Sequence, residues 1–249
     1  MKATALYKTI SITSTLLATA LIVAPSALAQ DDEGMLFDGD IAISSNIIDR
    51  GRAKTTNDYG VSATLSLTKG DVFGGVYLSN ITAPGYGGEI EVFAGVTKPL
   101  GGWDLTLSGK VDILNGKDYL MAGAPVVGKN KYFPELKATL ARDYGIAYIV
   151  AGTSWSMDGR WDTPSDSIYS FVDAEFPIPR MPELTLITHV GQDFRQNNSN
   201  AFDWSVGLSV FVKDFELTTS YVKTTQPLSY NGFTDRGKGR FVTGLKFYF

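Results

Sequence analysis

The amino-acid sequence predicts an all-β fold: a transmembrane antiparallel up-and-down β-barrel of about twelve strands that follows a cleaved signal peptide. Three observations predict it. Apolar and polar residues alternate with a period of two, which gives each strand one apolar and one polar face. The alternating segments approach the roughly 9–11 residues of a bilayer-crossing strand, whereas strands of soluble sandwiches average about 5–6. The links between them are alternately long and short, like the outer loops and periplasmic turns of such barrels.

Residues 1–29 have the parts of a secretory signal peptide. Lys2 and Lys8 give a positive start, an apolar run extends from Leu16 to Val23, and Ala27-Leu28-Ala29 forms a cleavage site. The alternative is a membrane anchor helix, but the run is shorter than the roughly 20 residues that a span needs. We therefore expect a signal peptide at 1–29 and one β-barrel domain at 30–249, located in a Gram-negative outer membrane.

The composition limits the function classes. The formal net charge of −4 argues against a nucleic-acid partner. The chain has no Cys and one His, so we expect neither a metal site nor a cofactor. Without disulfides, an exported chain needs another source of stability, such as a closed ladder of hydrogen bonds.

The stretch from Glu89 to Ile113 shows the alternation most clearly, as two arms around a turn at Pro99, Gly101 and Gly102. Glu89 and Glu91 begin the polar face of the first arm. Phe93 breaks the rule because it falls on that polar face. The predicted lipid-facing residues are Ile90, Val92, Ala94, Val96, Trp103, Leu105, Leu107, Val111 and Ile113.

The other strands follow the same rule, except that the strand from Tyr144 to Trp155 is apolar on both faces, so its inner face is not assigned. The first runs from Gly39 to Ile48, with Ile41, Ile43 and Ile47 on one face, and a polar loop from Asp49 to Lys54 follows it. The longest gap is Leu114 to Asn130. The remaining predicted strands begin near Tyr59 and span Val72–Asn80, Tyr132–Leu140, Tyr144–Trp155, Ile168–Phe176, Glu183–Gln192, Phe202–Val212, Phe215–Lys223 and Arg240–Phe249. Because lipid offers no partner for backbone groups, we expect the last strand to pair with the first.

The polar faces point into the barrel and carry more acids than bases. We hypothesise a narrow, cation-preferring pore, because rings of like charge select ions by sign. The alternative is that these charges pair with one another inside a plugged barrel, since twelve strands lie between filled and open barrels. The predicted pore-lining residues are Asp40, Glu89, Glu91, Asp104, Lys110, Asp112, Glu135, Lys137, Asp173, Glu175, His189, Glu216, Arg240 and Lys246.

Two other function classes stay open. A lipid-modifying hydrolase could use His189 with a serine and a carboxylate, although no G-x-S-x-G motif is present. Separately, Glu89 and Glu91 could form a catalytic acid/base pair, although any polar lumen contains such carboxylate pairs. A non-conducting receptor or anchor would bind through its outer loops, mainly Leu114 to Asn130 and Thr225 to Lys238. Aromatic residues near the strand ends are candidates for interface girdles, or are ordinary turn-flanking residues: Trp103, Trp155, Trp161, Trp204, Tyr144 and Phe249.

Several short motifs occur in a characteristic order: Ser45-Asn46 through Arg50-Gly51, Gly75 to Asn80, Glu89-Ile90-Glu91 with Gly95, Tyr132 with Glu135, His189-Val190-Gly191, Asp203-Trp204 with Gly207, and Ser220-Tyr221 with Thr224. On these motifs the chain resembles the TorF-type putative porin family, which is also described as a Gcw_chp domain. The resemblance implies an outer-membrane barrel with a pore and no catalytic residues. The expected partners are outer-membrane lipid, small solutes or ions, and the barrel assembly machinery that recognises a C-terminal aromatic strand.

Overall fold

The structure is a computed structural model, and it describes residues 34–55, 58–82, 86–116, 119–121, 124–126, 131–157, 159–162, 165–196, 199–226, 229–230, 233–234 and 239–249. The predicted signal peptide at 1–29 lies outside these residues. Within these residues, no helix is long and apolar enough to cross a membrane. This finding concerns helices only.

Twelve antiparallel strands form a closed barrel in which each strand pairs with its neighbours in sequence. The predicted all-β, up-and-down barrel is therefore confirmed. The strands are β1 Leu36–Ser44, β2 Gly60–Lys69, β3 Val72–Asn80, β4 Tyr86–Leu100, β5 Trp103–Gly116, β6 Lys131–Asp143, β7 Tyr148–Ser156, β8 Ser167–Ile178, β9 Met181–Arg195, β10 Ala201–Val212, β11 Phe215–Thr224 and β12 Arg240–Tyr248.

The barrel closes where β1 pairs with β12, from Asp40 opposite Tyr248 to Ser44 opposite Gly244. The C-terminal Phe249 continues this ladder: its N–H donates to the Gly39 carbonyl and the Gly39 N–H donates to its carbonyl, each at 3.0 Å. No edge strand of the barrel is left open, as a wall in contact with hydrocarbon requires.

The links sort by length between the two ends of the barrel, as predicted. Short turns follow β2, β4, β6, β8 and β10, and longer links follow the other strands. Gly101 and Gly102 have φ values of 60° and 84° in the turn after β4, which is why glycine is suited to that tight turn. The long links contain small hairpins: Ile48–Asp49 with Arg52–Ala53, Tyr119–Met121 with Ala124–Val126, and Ser229–Tyr230 with Phe233–Thr234.

The two faces of the wall differ in burial as the alternation predicts. On β4, Ile90 and Val92 are 44% and 47% exposed, whereas Glu89 and Glu91 are 2% and 0% exposed. The apolar side chains thus cover the outside, and the polar ones face the interior, the arrangement that is typical of a membrane-spanning barrel.

Phe93 stays on the inner face, and its neighbour explains why. Phe93 lies opposite Gly75 on β3, and Phe73 lies opposite Gly95 on β4. A Cβ atom added to Gly75 would lie 2.6 Å from Phe93 Cζ, and one added to Gly95 would lie 2.5 Å from Phe73 Cζ. Each aromatic ring therefore covers a glycine on the adjacent strand, which shields the exposed glycine backbone.

Several strand boundaries differ from the predictions; β5, for example, extends to Gly116, into the gap predicted at Leu114 to Asn130. Three further differences are as follows. β1 ends at Ser44 rather than Ile48, and Ile47 is buried instead of facing lipid, because the chain turns into the barrel there. β7 begins at Tyr148 rather than Tyr144, since the Tyr144 N–H donates to the Ala147 carbonyl (2.9 Å) in a turn. β9 extends to Arg195, beyond the predicted end at Gln192.

Candidate functional site

The first long link folds back into the barrel. Residues 47–55, here called the lumen hairpin, are all buried. Arg50 and Gly51 form its tip with φ values of 47° and 74°, the positive values that a tight two-residue hairpin turn requires. The Ile47 N–H donates to Thr55 Oγ1 (2.7 Å) at its base, which holds the two arms together. The predicted polar outer loop at Asp49 to Lys54 is therefore an inserted element.

Apolar contacts seat one side of the lumen hairpin against the wall. Ile48 and Ala53 pack on Val222 of β11 and Val242 of β12. These wall residues lie on the inner faces of their strands, and burying the hairpin side chains against them is favourable.

Charged contacts hold the other side. Arg50 pairs with Glu135 of β6, Lys54 Nζ lies 2.5 Å from Glu89 Oε1 of β4, and Arg52 pairs with Asp162 in the link after β7. Each of the three cationic side chains is almost fully buried. Since buried charges are stable only when paired, the acidic wall and the basic hairpin neutralise one another.

The link between β7 and β8 adds further contacts to the lumen hairpin. Arg160 pairs with Asp49, and the Trp161 Nε1–H donates to Asp49 Oδ2 (2.6 Å). Arg195 of β9 also approaches Asp162, with Nη2 3.5 Å from Oδ2. Trp161 therefore binds a hairpin carboxylate inside the barrel, and its predicted place in an interface girdle is wrong.

The hairpin charges hold each other in their ionised forms. Burial by itself raises the pKa of the Asp49 carboxyl, but Arg160, Lys54 and Arg50 outweigh burial and bring that pKa well below its usual value. Burial likewise disfavours the Lys54 ammonium, yet Glu89 and Asp49 raise the Lys54 pKa above its usual value. Asp49 and Lys54 are therefore both charged at neutral pH.

All of the predicted pore-lining residues lie on the inner faces of their strands. Glu89, Glu91, Asp173, Glu175, His189 and Glu216 are buried, Asp104 is exposed near a short turn, and Asp40, Lys110, Asp112, Glu135, Lys137, Arg240 and Lys246 are half-buried. The fold brings some of them together. Lys110 Nζ lies 2.8 Å from Glu91 Oε2 and 3.1 Å from Asp112 Oδ1, and Glu216 lies opposite Lys246.

His189 is enclosed by acceptors rather than by a catalytic serine. Its Nδ1 lies 2.5 Å from Asp173 Oδ1, and its Nε2 lies 2.9 Å from Asp203 Oδ1 and 2.8 Å from the Tyr169 hydroxyl. An imidazolium ring satisfies both carboxylates by donating from both nitrogens. Ser205 lies opposite His189 on β10, but among the described residues the hydrogen-bond partners of His189 do not include the serine hydroxyl that a hydrolase triad requires.

Sequence reasoning missed the residues of the lumen that lie on links or past predicted strand ends: Arg50, Arg52, Lys54, Arg160, Asp162, Asp193 and Arg195. The alternation continues through Asp193 and Arg195, so extending β9 would have found these two. The others are on links, where period-two alternation carries no information.

A small cavity lies between the lumen hairpin and the wall. A cavity of about 10 Å³ remains among Arg50, Lys110, Glu135, Lys137 and Phe171, with Asp49, Asp112, Ser154, Arg160 and Tyr169 also lining it. This is close to the smallest space that holds one water molecule.

Comparisons with known proteins agree with the architecture. A "NanC porin" structure has a TM-score of 0.53 at 13% identity, covering 85% of this chain and 99% of that chain. A "KdgM porin" structure has a TM-score of 0.51 at 9% identity, covering 87% and 99%. At these identities the likeness concerns the fold alone. No curated protein sequence matches the chain.

One sequence family covers almost the whole barrel. The family model described as "Bacterial protein of unknown function (Gcw_chp)" matches residues 28–249. The chain belongs to the Gcw_chp family.

Proposed function

We propose that this protein is an outer-membrane channel for the passive diffusion of small solutes or ions, and that the lumen hairpin sets its constriction. The observation that carries the proposal is a closed twelve-stranded barrel with an apolar outside and a charged inside. An exterior of this kind suits hydrocarbon, and a charged interior suits water and ions. The folds of the two porins above are compatible with it.

We further propose that the lumen prefers cations. The wall residues that support this are the predicted pore-lining carboxylates together with Asp193 and Asp203, which outnumber the cationic side chains of the wall. The cations of the lumen hairpin reduce this acidity locally. The preference should therefore be set by the parts of the lumen above and below the hairpin.

The location and partners belong to the same proposal. The exposed aliphatic and aromatic residues favour contact with outer-membrane lipid, and the C-terminal aromatic strand suits recognition by the barrel assembly machinery. A TorF-type porin, as the sequence resemblance implies, would have this location and role.

A second candidate function is a sealed barrel that serves as a receptor or anchor. The buried lumen hairpin and the cavity of about 10 Å³ favour it. Such a protein would conduct no ions, and its long links would carry its binding activity.

Recordings from planar bilayers distinguish the two functions. We expect discrete current steps and, in a KCl gradient, a reversal potential of the sign that K⁺ selectivity produces. A reversal potential of the opposite sign would contradict the cation preference alone. The complete absence of current from correctly folded, heat-modifiable barrels would instead favour the sealed barrel.

A further inference from the structure

The side chain of Arg50 occupies a pocket that is built by the barrel wall. Its Nη2 pairs with Glu135 of β6 and donates to Ser154 Oγ (3.0 Å) and Ser156 Oγ (3.4 Å) of β7. Its Cζ lies 4.5 Å from the centre of the Tyr169 ring of β8. A carboxylate, two hydroxyls and an aromatic face together match a planar guanidinium group, which accepts stacking and donates several hydrogen bonds in its plane.

The fit of Arg50 to this pocket is incomplete. Its Nη1 lies 3.6 Å from Asp193 Oδ1, and within the described residues neither atom has a hydrogen-bond partner, although Asp193 is 1% exposed. The backbone of Arg50 also has a φ of 47°, in the left-handed region that residues with side chains rarely adopt. The hairpin therefore holds the guanidinium near, but not at, the best position.

A free guanidinium would not be limited in this way. It could move toward Asp193, form the missing hydrogen bond and keep its contacts with Glu135 and Tyr169. Because all of the pocket groups belong to the wall strands β6 to β9, the pocket does not depend on the hairpin for its construction.

From this geometry we propose that the pocket is a binding site for cationic solutes that carry a guanidinium group. The Arg50 side chain occupies the same site and competes with these solutes. The proposal deepens the channel function above and rests on it for its biological meaning. Solutes of this class would bind at the constriction by displacing the Arg50 side chain.

The test removes the Arg50 side chain from the pocket and measures whether a small cation binds in its place. The Arg50→Ala barrel in detergent is titrated with methylguanidinium chloride or methylammonium chloride, and thermal unfolding reports binding without any need for conductance. We expect methylguanidinium to bind about tenfold more tightly, as one additional charge-assisted hydrogen bond would give. Arg50→Lys is the second variant, in case the first does not fold, and should show the same ligand preference because an ammonium cannot fill a planar site.

Two control variants test whether the gain in methylguanidinium binding arises at this pocket. Arg52→Ala, which vacates a neighbouring contact to Asp162, should not gain this affinity, and adding Glu135→Gln to Arg50→Ala should abolish it. Equal thermal stabilisation by both cations, or no stabilisation by methylguanidinium, would contradict the proposed guanidinium site. In planar bilayers the same solute should block Arg50→Ala currents. If methylguanidinium stabilises a barrel that never conducts, the proposed binding site stands and the proposed channel function is contradicted.

Discussion

Lys54 and Glu89 join the lumen hairpin to the barrel wall, with Lys54 Nζ 2.5 Å from Glu89 Oε1 and side chains that are 2% and 0% exposed. Glu89 Oε2 also accepts a hydrogen bond from Ser79 Oγ (3.2 Å), so both carboxylate oxygens have partners. The pair is one of the contacts in which an acidic side chain of the wall binds a basic side chain of the lumen hairpin; Arg50 and Glu135 form another.

Replacing Lys54 by Met should loosen the hairpin. The change leaves Glu89 buried without its cation, and breaking a buried pair in this way costs about 3–5 kcal/mol. We expect a decrease of that size in the free energy of unfolding by urea in lipid vesicles. We also expect larger single-channel currents, because a released hairpin no longer fills the lumen.

Lys98→Met is the matched control. Lys98 pairs with Asp71 near the short turns, where the side chains are 62% and 47% exposed. An exposed pair contributes about 0–1 kcal/mol, so this variant should be close to the parent in both measurements. If the two variants lose equal stability, the hairpin is not held by the buried pair.

A side chain at Gly95 should destabilise the barrel. In Gly95→Ala the new Cβ would lie 2.5 Å from Phe73 Cζ and 2.7 Å from the Leu107 carbonyl oxygen, which is fixed in the sheet. Overpacking of this kind costs about 1–3 kcal/mol. Gly88→Ala serves as control, since the nearest atom to its Cβ would be the Ser79 carbonyl oxygen at 3.5 Å. Urea unfolding of the two variants should separate them, and identical midpoints would refute the packing of rings over glycines.

The charge of His189 can be tested with a double-mutant cycle. In His189→Gln the carboxylates of Asp173 and Asp203 lose the cation between them, so the free energy of unfolding should fall substantially. Asp173→Asn removes one of those charges, and in that background His189→Gln should cost less. We expect a coupling energy of about 0.5–3 kcal/mol. Strict additivity would show that His189 is not held as a cation between the two acids.

Docking of the hairpin should be insensitive to pH over the physiological range. The lowered pKa of Asp49 means that its stabilisation is complete above its unfolded pKa of about 3.9 and is lost only as the pH falls further. The raised pKa of Lys54 means that its stabilisation is complete below about 10.4 and is lost only above that value.

A single cysteine reports this docking, because the natural chain has none. Ala53 is 2% exposed in the hairpin, so the Ala53→Cys thiolate should be labelled slowly by a polar maleimide. After correction for the ionised fraction of the thiol, the labelling rate should stay constant from about pH 5 to about pH 9. A corrected rate that changes several-fold within this range would show that another titrating group controls the hairpin.

Most of the barrel wall was predictable because one rule, alternation with a period of two, acts on all strands except β7, which is apolar on both faces. It correctly placed residues as different as Glu91 and Ile90, and it kept Phe93 on the inner face even though its chemistry suggested the outer one. The reason for the exception, Gly75 on the adjacent strand, depends on the register between strands, which one sequence does not reveal.

The interior was less predictable because a link between strands, the lumen hairpin, fills part of it. The segment from Asp49 to Lys54 has the charges of an ordinary outer loop, and only the three-dimensional positions of Glu89 and Glu135 show where those charges pair. The same holds for Trp161, whose position beside a strand end suggested a membrane interface. Its indole donates to Asp49 because the fold brings two distant links into contact.

The most direct test of the constriction is the single-channel conductance of a variant whose residues 47–55 are replaced by a Gly-Ser linker of equal length, recorded beside the unaltered protein. We expect a several-fold larger conductance and a stronger preference for cations, because the acidic wall then lacks its basic partner. An unchanged conductance and ion preference in a correctly folded barrel would contradict this expectation.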